Sequence, residues 1–131
     1  RKLTTLHLSE NQLSGPIPSE IGMLQKVWDL YLHDNRLSGT IPSEIGMLKQ
    51  LGWLYLNNNQ LVGPIPSEIG VLQDLTVLFL DNNSLVGTIP NEVCAIKNLP
   101  TASSYDGFHI DCLKLTCPLD CPCANRDGNP C

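Results

Sequence analysis

The most reactive side chains in this sequence belong to six cysteines, and five of them lie after residue 99. The six are Cys94, Cys112, Cys117, Cys121, Cys123 and Cys131. An even number of cysteines at this density indicates three disulfides, for which about 15 pairings are possible, and such bonds persist in oxidising compartments. We therefore expect a secreted, extracellular or other oxidising lumenal protein with a disulfide-rich C-terminal segment.

Cysteine and histidine are also the usual zinc ligands, and His109 lies close in sequence to the cysteine-rich segment. The cysteine spacing is Cys117-x3-Cys121-x-Cys123-x7-Cys131. This spacing lacks the paired C-x2-C steps of structural zinc sites, and the single residue between Cys121 and Cys123 is tight for tetrahedral coordination. The sequence therefore favours disulfides over zinc, and it predicts neither a metal nor another cofactor.

Motifs for catalysis are missing from the sequence. It has no G-x-S-x-G, no H-E-x-x-H, no phosphate-binding glycine loop and no dinucleotide fingerprint. His33 with Asp29 or Asp34 and a nearby serine could be drawn as a catalytic triad. On an open sheet, however, nothing would exclude water or position an oxyanion. We therefore expect that the protein is not an enzyme.

Four copies of an eleven-position pattern recur at a strict spacing of 24 residues. The first copy is Leu3-Leu6-Leu8-Asn11-Leu13-Gly15-Ile17-Pro18-Ile21-Gly22-Leu24, and the others begin at Val27, Leu51 and Leu75. The L-x-L step alternates as a β-strand does, and a repeat of this length is too short for two packed helices. Each repeat is therefore predicted to contain one strand and a short return, and to be stable only when stacked on its neighbours.

The consensus LxxLxLxxNxLxGxIPxxIGxLxx resembles the plant-type leucine-rich repeat family, which includes receptor-kinase ectodomains and polygalacturonase-inhibiting proteins. The resemblance implies an α/β repeat solenoid, a right-handed superhelix with a parallel concave β-sheet, a second short strand at LxGxIP and short convex 3-10 or helical turns. We expect a domain at residues 1–99 and a cysteine-rich C-terminal cap at 100–131. Within the domain, the repeats are expected at 3–26, 27–50, 51–74 and 75–98.

The two ends of the repeat array carry different signals. The N-terminal cap that is usual in the family is missing, so we expect a fragment, or a domain whose preceding repeats were removed or lie on another chain. Its uncapped N-terminal edge could then associate with a partner. At the other end, Cys94 replaces the glycine of the earlier Pro-Ser-Glu-Ile-Gly runs, which we interpret as helical turns that stop at the glycine. This replacement indicates a last repeat that is tied to the cap.

Asparagines occupy one position of every repeat and are predicted to form a structural ladder. They are Asn11, Asn35, Asn59 and Asn83. Each amide can donate and accept hydrogen bonds at the turn that follows the strand. Asn82-Asn83-Ser84 is in addition a formal N-glycosylation acceptor with Asn82 as the candidate, although the turn beside a buried Asn83 could prevent modification.

Alternation along the strands identifies the side chains that face outward from the concave sheet. One column contains only aromatic residues and histidine, expected about 5 Å apart. Exposed aromatic rings with polar neighbours are typical of recognition surfaces for peptides or sugars, although such rings could instead only stabilise neighbouring strands. An acidic fringe beside them could select a basic peptide or hold calcium, or could be a solvated rim; it comprises Glu10, Asp29, Asp34 and Asp81. The candidate ligand-binding residues are His7, Asp29, Tyr31, His33, Trp53, Tyr55, Asn57, Phe79 and Asp81.

Charge and hydropathy exclude two classes of partner. The chain has 13 acidic and 8 basic residues and a net charge of -5, which argues against binding nucleic acid. No apolar run approaches the roughly 20 residues of a membrane-spanning helix. We expect a non-enzymatic extracellular module that binds a protein or peptide, or a carbohydrate, on its concave face, as a receptor or an inhibitor does. The alternative is a matrix, cell-surface or multi-subunit scaffold without a dissociable ligand.

Overall fold

The computed structural model describes residues 3–99, 108–110 and 115–116. The strands are β1 Thr5–His7, β2 Ser14–Pro16, β3 Asp29–Tyr31, β4 Arg36–Gly39, β5 Trp53–Tyr55, β6 Gln60–Gly63, β7 Val77–Phe79, β8 Ser84–Leu85, β9 Gly87–Thr88, β10 Phe108–His109 and β11 Leu115–Thr116. The helices are the 3-10 helices η1 Ser19–Met23, η2 Ser43–Met47 and η3 Ser67–Val71, and the α-helix α1 Asn91–Cys94. In the described residues no helix has the length and apolar composition needed to cross a membrane.

All strand pairs are parallel, and corresponding strands of successive repeats lie side by side. The larger sheet, called the concave sheet below, has the order β1-β3-β5-β7-β10. The LxGxIP segments form a second sheet in the order β2-β4-β6-β8, and β9 pairs with β11. The predicted solenoid with a parallel sheet and 3-10 turns is therefore confirmed. The predicted disulfide cap lies almost entirely outside the described residues, and the domain boundary at residue 99 stays a prediction.

The inward side chains of the concave sheet form the core. Leu30, Leu54 and Leu78, at the centres of β3, β5 and β7, are fully buried because each has a neighbouring strand on both sides. In the first repeat, at the edge of the described stack, Leu8 and Leu13 are 38% and 40% exposed. Burying such a side chain fully contributes about 1.5–3 kcal/mol, so the inner repeats carry most of the stability.

The glycines of the Pro-Ser-Glu-Ile-Gly runs lie inside the 3-10 helices, so the interpretation that they stop the turn is wrong. They allow neighbouring repeats to approach each other. A Cβ atom on Gly22 would lie 2.9 Å from the backbone oxygen of Glu44, and one on Gly46 would lie 2.6 Å from that of Glu68. Cys94 takes the same position in α1, the last helix of the described part of the chain, and it is disulfide-bonded.

The asparagine ladder joins adjacent repeats through backbone groups. The Asn59 amide nitrogen donates to the carbonyl oxygens of Leu32, Leu56 and Asn57 at 3.0–3.3 Å, while the Asn59 side-chain oxygen accepts from the Leu37 backbone N–H at 3.0 Å. Asn35 and Asn83 repeat this pattern in their own repeats. Each amide therefore satisfies backbone groups that the turn after the strand would otherwise leave without partners.

Candidate functional site

A continuous column of rings runs across the outward face of the concave sheet. Because the strands are parallel and in register, His7, Tyr31, Tyr55 and Phe79 lie side by side, with ring centroids 4.8, 5.0 and 4.9 Å apart. β10 adds a fifth member that the sequence did not predict, since His109 stacks on Phe79 at 4.2 Å. These five residues are called the aromatic column below. Its outer members differ in exposure, because His7 is exposed and His109 is buried.

Two tryptophans widen this surface beside β3 and β5. Trp53 lies edge-on to Tyr31 with centroids 6.4 Å apart, and Trp28, just before β3, lies 5.6 Å from Trp53. Trp28 is 46% exposed, and alternation along the strands did not predict it as part of the site. A signal was available in the repeat pattern, because Gly52 occupies the equivalent position in the next repeat. A Cβ atom there would lie 2.8 Å from Cε2 of the Trp28 indole.

Asp29 places a negatively charged side chain among these aromatic rings. It pairs in register with Trp53 on one side and Thr5 on the other, and it lies two residues before Tyr31 on the same face of β3. Its Oδ2 accepts a hydrogen bond from Thr5 Oγ1 at 3.3 Å. Its Oδ1 is shielded from solvent and has no hydrogen-bond partner among the described residues. Trp28, Asp29, Tyr31 and Trp53 are called the Asp29 cluster below.

The electrostatic effect of Asp29 is visible at Tyr31. Burial raises the pKa of the Tyr31 hydroxyl above its ordinary value, and the negative charge of Asp29 and then the neighbouring Tyr55 raise it further. Tyr31 is therefore neutral at physiological pH and can act as a hydrogen-bond donor. The outward face at β3 thus combines ring faces, one neutral hydroxyl and one carboxylate.

The other side of the aromatic column is lined by His33 and Asn57. The His33 ring lies 5.5 Å from that of Tyr55, and its Nε2 is 3.9 Å from the Asp34 carboxylate. His33 Nδ1 and Asn57 Oδ1 have no hydrogen-bond partner in the described part of the chain. In residues 3–99, no serine is hydrogen-bonded to His33, so the geometry does not assemble the triad drawn from the sequence.

Asp81 differs in placement from the other candidates. Strand alternation predicts that it faces outward with them, but only 4% of its surface is exposed. The fourth repeat is not the edge of the sheet, because β10 lies beside β7 and the backbone N–H of Leu80 donates to the carbonyl of His109 at 2.9 Å. The other eight candidates are at least partly accessible. Seven of them lie on β1, β3, β5 and the turns after these strands, and the eighth, Phe79, lies on β7.

A second row of polar side chains borders the sheet at the turns. Asn82 Nδ2 donates to Asn58 Oδ1 at 2.6 Å, and Asn58 Nδ2 donates to Asp34 Oδ1 at 2.7 Å. Glu10 occupies the same position in the first repeat, and all four residues have positive φ values of 53–57°. Asn82 is exposed in this row. Its glycosylation stays a prediction, as do the disulfides of the five cysteines outside the described residues.

In the described part of the chain, no group of three or more histidine, cysteine, aspartate or glutamate side chains is placed so that it could hold a metal ion. The alternative zinc ligands of the sequence, apart from His109, lie outside the described residues. The Nε2 atom of His109 has no hydrogen-bond partner among the described residues, and its ring is stacked on Phe79.

Comparisons with known proteins agree with this architecture. The model of the family described as Leucine Rich Repeat matches residues 2–24, 26–48, 50–72 and 74–96. A chain of the BIR3–SERK2 complex from Arabidopsis thaliana is 44% identical with a TM-score of 0.69, covering 72% of this chain and 50% of that one. A search of the curated proteins gave no match.

Two receptor-kinase ectodomains from Arabidopsis thaliana are also similar. That of GASSHO1/SCHENGEN3, in complex with CASPARIAN STRIP INTEGRITY FACTOR 2, is 39% identical with a TM-score of 0.75, covering 88% of this chain and 13% of that one. That of SOBIR1 is 32% identical with a TM-score of 0.77, covering 88% and 60%. The chain spans at most 60% of the length of these three structures. It belongs to the leucine-rich repeat family, with plant-type repeats that match those of plant receptor-kinase ectodomains.

Proposed function

We propose that this chain is a non-enzymatic recognition module that binds a peptide or protein segment on the outward face of its concave sheet. The observation that carries the proposal is the aromatic column, whose rings form one continuous surface on the face opposite the leucine core. The core does not need these rings, because the inward leucines of the same strands are already fully buried. A ligand that covers them would remove apolar surface from water.

The composition of this surface suits an amphipathic ligand. Tyrosine and tryptophan have large rigid ring faces and polar edges, and they are enriched among the residues that dominate binding energy. His33 and Asn57, which are both partly accessible, add polar side chains beside the column. The main chain of a peptide can form hydrogen bonds with the accessible polar groups of these side chains, while its own side chains cover the rings.

Two of the similar structures support a role in complexes. One is an ectodomain in complex with CASPARIAN STRIP INTEGRITY FACTOR 2, and the other is the BIR3–SERK2 complex. We propose by analogy that this chain also works outside the cytosol, and the disulfide at Cys94 is consistent with an oxidising compartment.

Selection from a phage-displayed library of random peptides on the immobilised full chain tests this proposal. Selected peptides are titrated against the wild type and against a Tyr31→Ala/Trp53→Ala/Tyr55→Ala variant. We expect the variant to lose at least about 100-fold in affinity, because central aromatic side chains each contribute about 2 kcal/mol or more. The matched control, Met23→Ala/Met47→Ala/Val71→Ala, removes exposed apolar side chains of the 3-10 helices and should bind normally. Peptides that bind both variants equally would contradict the proposal.

A scaffold role without a dissociable ligand is the second candidate, and the exposed edge of the first repeat favours it. Leu3 and Leu13 are 48% and 40% exposed there, and β1 has a neighbouring strand on one side only in the described part of the sheet. Analytical ultracentrifugation over a range of concentrations separates the two roles. Assembly that persists in the aromatic triple variant but is lost in Leu3→Asp/Leu13→Asp would favour the scaffold.

A further inference from the structure

We propose that the segment bound on the concave sheet is positively charged, with an arginine or lysine side chain placed at Asp29 beside the rings of Tyr31 and Trp53. This inference rests on the proposed function and adds the chemical class of the ligand. The occupant it commits to is a basic peptide segment, and the reasons are charge complementarity and the geometry of the Asp29 cluster.

The charge distribution around the sheet is one-sided. The described lysines and arginines all lie away from its outward face: Lys26 and Lys49 precede β3 and β5 in the turns after the 3-10 helices, Arg36 lies in β4, and Lys97 follows α1. Asp29 lies on the face itself, and Asp34 and Glu10 lie at its border. An approaching cation would therefore meet negative groups and no positive side chain of the described chain, whereas an acidic segment would meet repulsion.

The Asp29 cluster has the geometry that a guanidinium or ammonium group requires. Oδ1 of Asp29 is shielded from solvent, so a ligand would approach the partly accessible side chain at Oδ2, which can accept a second hydrogen bond besides the one from Thr5. On the two sides of this carboxylate are Trp53, directly across the strand pair, and Tyr31, two residues along the same strand. Trp28 adds a further exposed indole next to Trp53. A cation here would contact a carboxylate and ring faces together, which is the combination that favours arginine.

The neighbouring groups make this location more favourable for a cation than for other ligands. The charge of Asp29 acts on the Tyr31 hydroxyl strongly enough to raise the pKa of that group, after the larger effect of burial. The Thr5 hydroxyl that donates to Asp29 is uncharged, and no described lysine or arginine pairs with this carboxylate. A cation bound at Asp29 would supply a positive charge and a hydrogen-bond donor in one group.

Fluorescence is a direct probe, because Trp28 and Trp53 are the only two tryptophans of the chain. The full chain is titrated with acetyl-Gly-Arg-Gly-Arg-Gly-amide and with the same peptide carrying citrulline, the neutral isostere of arginine. We expect the arginine peptide to bind about tenfold more tightly or better at low salt, and to weaken as salt is added. Equal affinities for the two peptides would overturn the inference.

The residue itself is tested by Asp29→Asn, with Asp74→Asn as the matched control for an exposed acidic residue outside the concave sheet. We expect Asp29→Asn to lose the preference for arginine over citrulline and Asp74→Asn to keep it. If Asp29→Asn does not fold, the arginine and citrulline peptides on the wild type still decide the question.

The peptides from the library separate failure of this inference from failure of the proposed function. Enrichment of arginine and lysine among peptides that depend on the aromatic column supports the inference. Column-dependent peptides that are neutral or acidic, or a sugar that binds there instead, overturn it and leave recognition by the column intact. Absence of any column-dependent ligand overturns both.

Discussion

The two faces of the concave sheet use the same three strands for different purposes. On the inward face, Leu30, Leu54 and Leu78 are fully buried, and the asparagine ladder satisfies the turns beside them. On the outward face, Tyr31 and Tyr55 stack on each other while remaining partly accessible. The repeat period fixes which residues point inward, and it leaves the outward positions free to vary. Stability and the proposed recognition are therefore separated by one step along a strand.

The largest effect is expected on the inward face, from Leu54→Ala. This change leaves a cavity between two repeats and should lower the free energy of unfolding by about 2–5 kcal/mol in urea denaturation. The control is Val62→Ala, at an exposed position of β6, which should change the free energy by no more than about 0.5 kcal/mol. Equal effects of the two changes would show that the leucine core is not the main source of stability.

A smaller effect is expected from Asn59→Leu. The change leaves the Leu37 N–H and carbonyl groups of two repeats without partners, and should cost about 1–3 kcal/mol. Gln60→Leu, at the next and exposed position, should cost less than about 0.5 kcal/mol. An unchanged Tm for Asn59→Leu would rule out the structural role of the ladder.

Two glycines sharpen the comparison because each faces a different kind of neighbour. Gly46→Ala places a methyl group against the backbone oxygen of Glu68, which cannot move easily, so we expect a loss of about 1–3 kcal/mol. Gly52→Ala places it against the exposed Trp28 indole, which can rotate away, so we expect less than about 1 kcal/mol. Gly52→Ala should nevertheless shift the tryptophan emission. If Gly52→Ala proved the more destabilising, the Trp28 contact would belong to the core.

The smallest effect is expected from the ionisation of Tyr31. Because the pKa of Tyr31 is raised in the folded protein, the unfolded chain releases this proton first as pH rises. Its contribution to stability is therefore present below about pH 10, the ordinary tyrosine pKa, and is lost above it. Measured by thermal unfolding between neutral and alkaline pH, Tyr31→Phe should show a weaker decline of Tm than the wild type. An identical decline would mean that Tyr31 does not contribute.

The sequence predicted the periodic features well. The spacing of leucine and asparagine identified the strands and the ring column at β1, β3, β5 and β7, because each of these features repeats every 24 residues. The parallel arrangement of the strands followed from the family resemblance. Features that break the period were missed. His109 follows Phe79 by 30 residues and not 24, so no repeat placed it in the sheet, and the burial of Asp81 beside this added strand was missed with it.

The contacts of glycine were missed for a different reason. Gly46 and Gly52 are needed because of atoms from another repeat, and a one-dimensional pattern does not contain that distance. Trp28 was not predicted either, because it lies just before β3 and alternation identifies outward side chains only within a strand. Equivalent positions of successive repeats lie next to each other, so Trp28 and Gly52 are neighbours across the stack. Comparing equivalent positions would have predicted this contact.

The separation of the two faces is tested most directly by measuring affinity and unfolding free energy on the same variant, Tyr31→Ala/Trp53→Ala/Tyr55→Ala. We expect affinity for column-dependent peptides to fall by at least about 100-fold, while the free energy of unfolding falls less than it does for Leu54→Ala alone. A variant that binds normally, or one that loses more stability than Leu54→Ala, would contradict the assignment of recognition to the outward face.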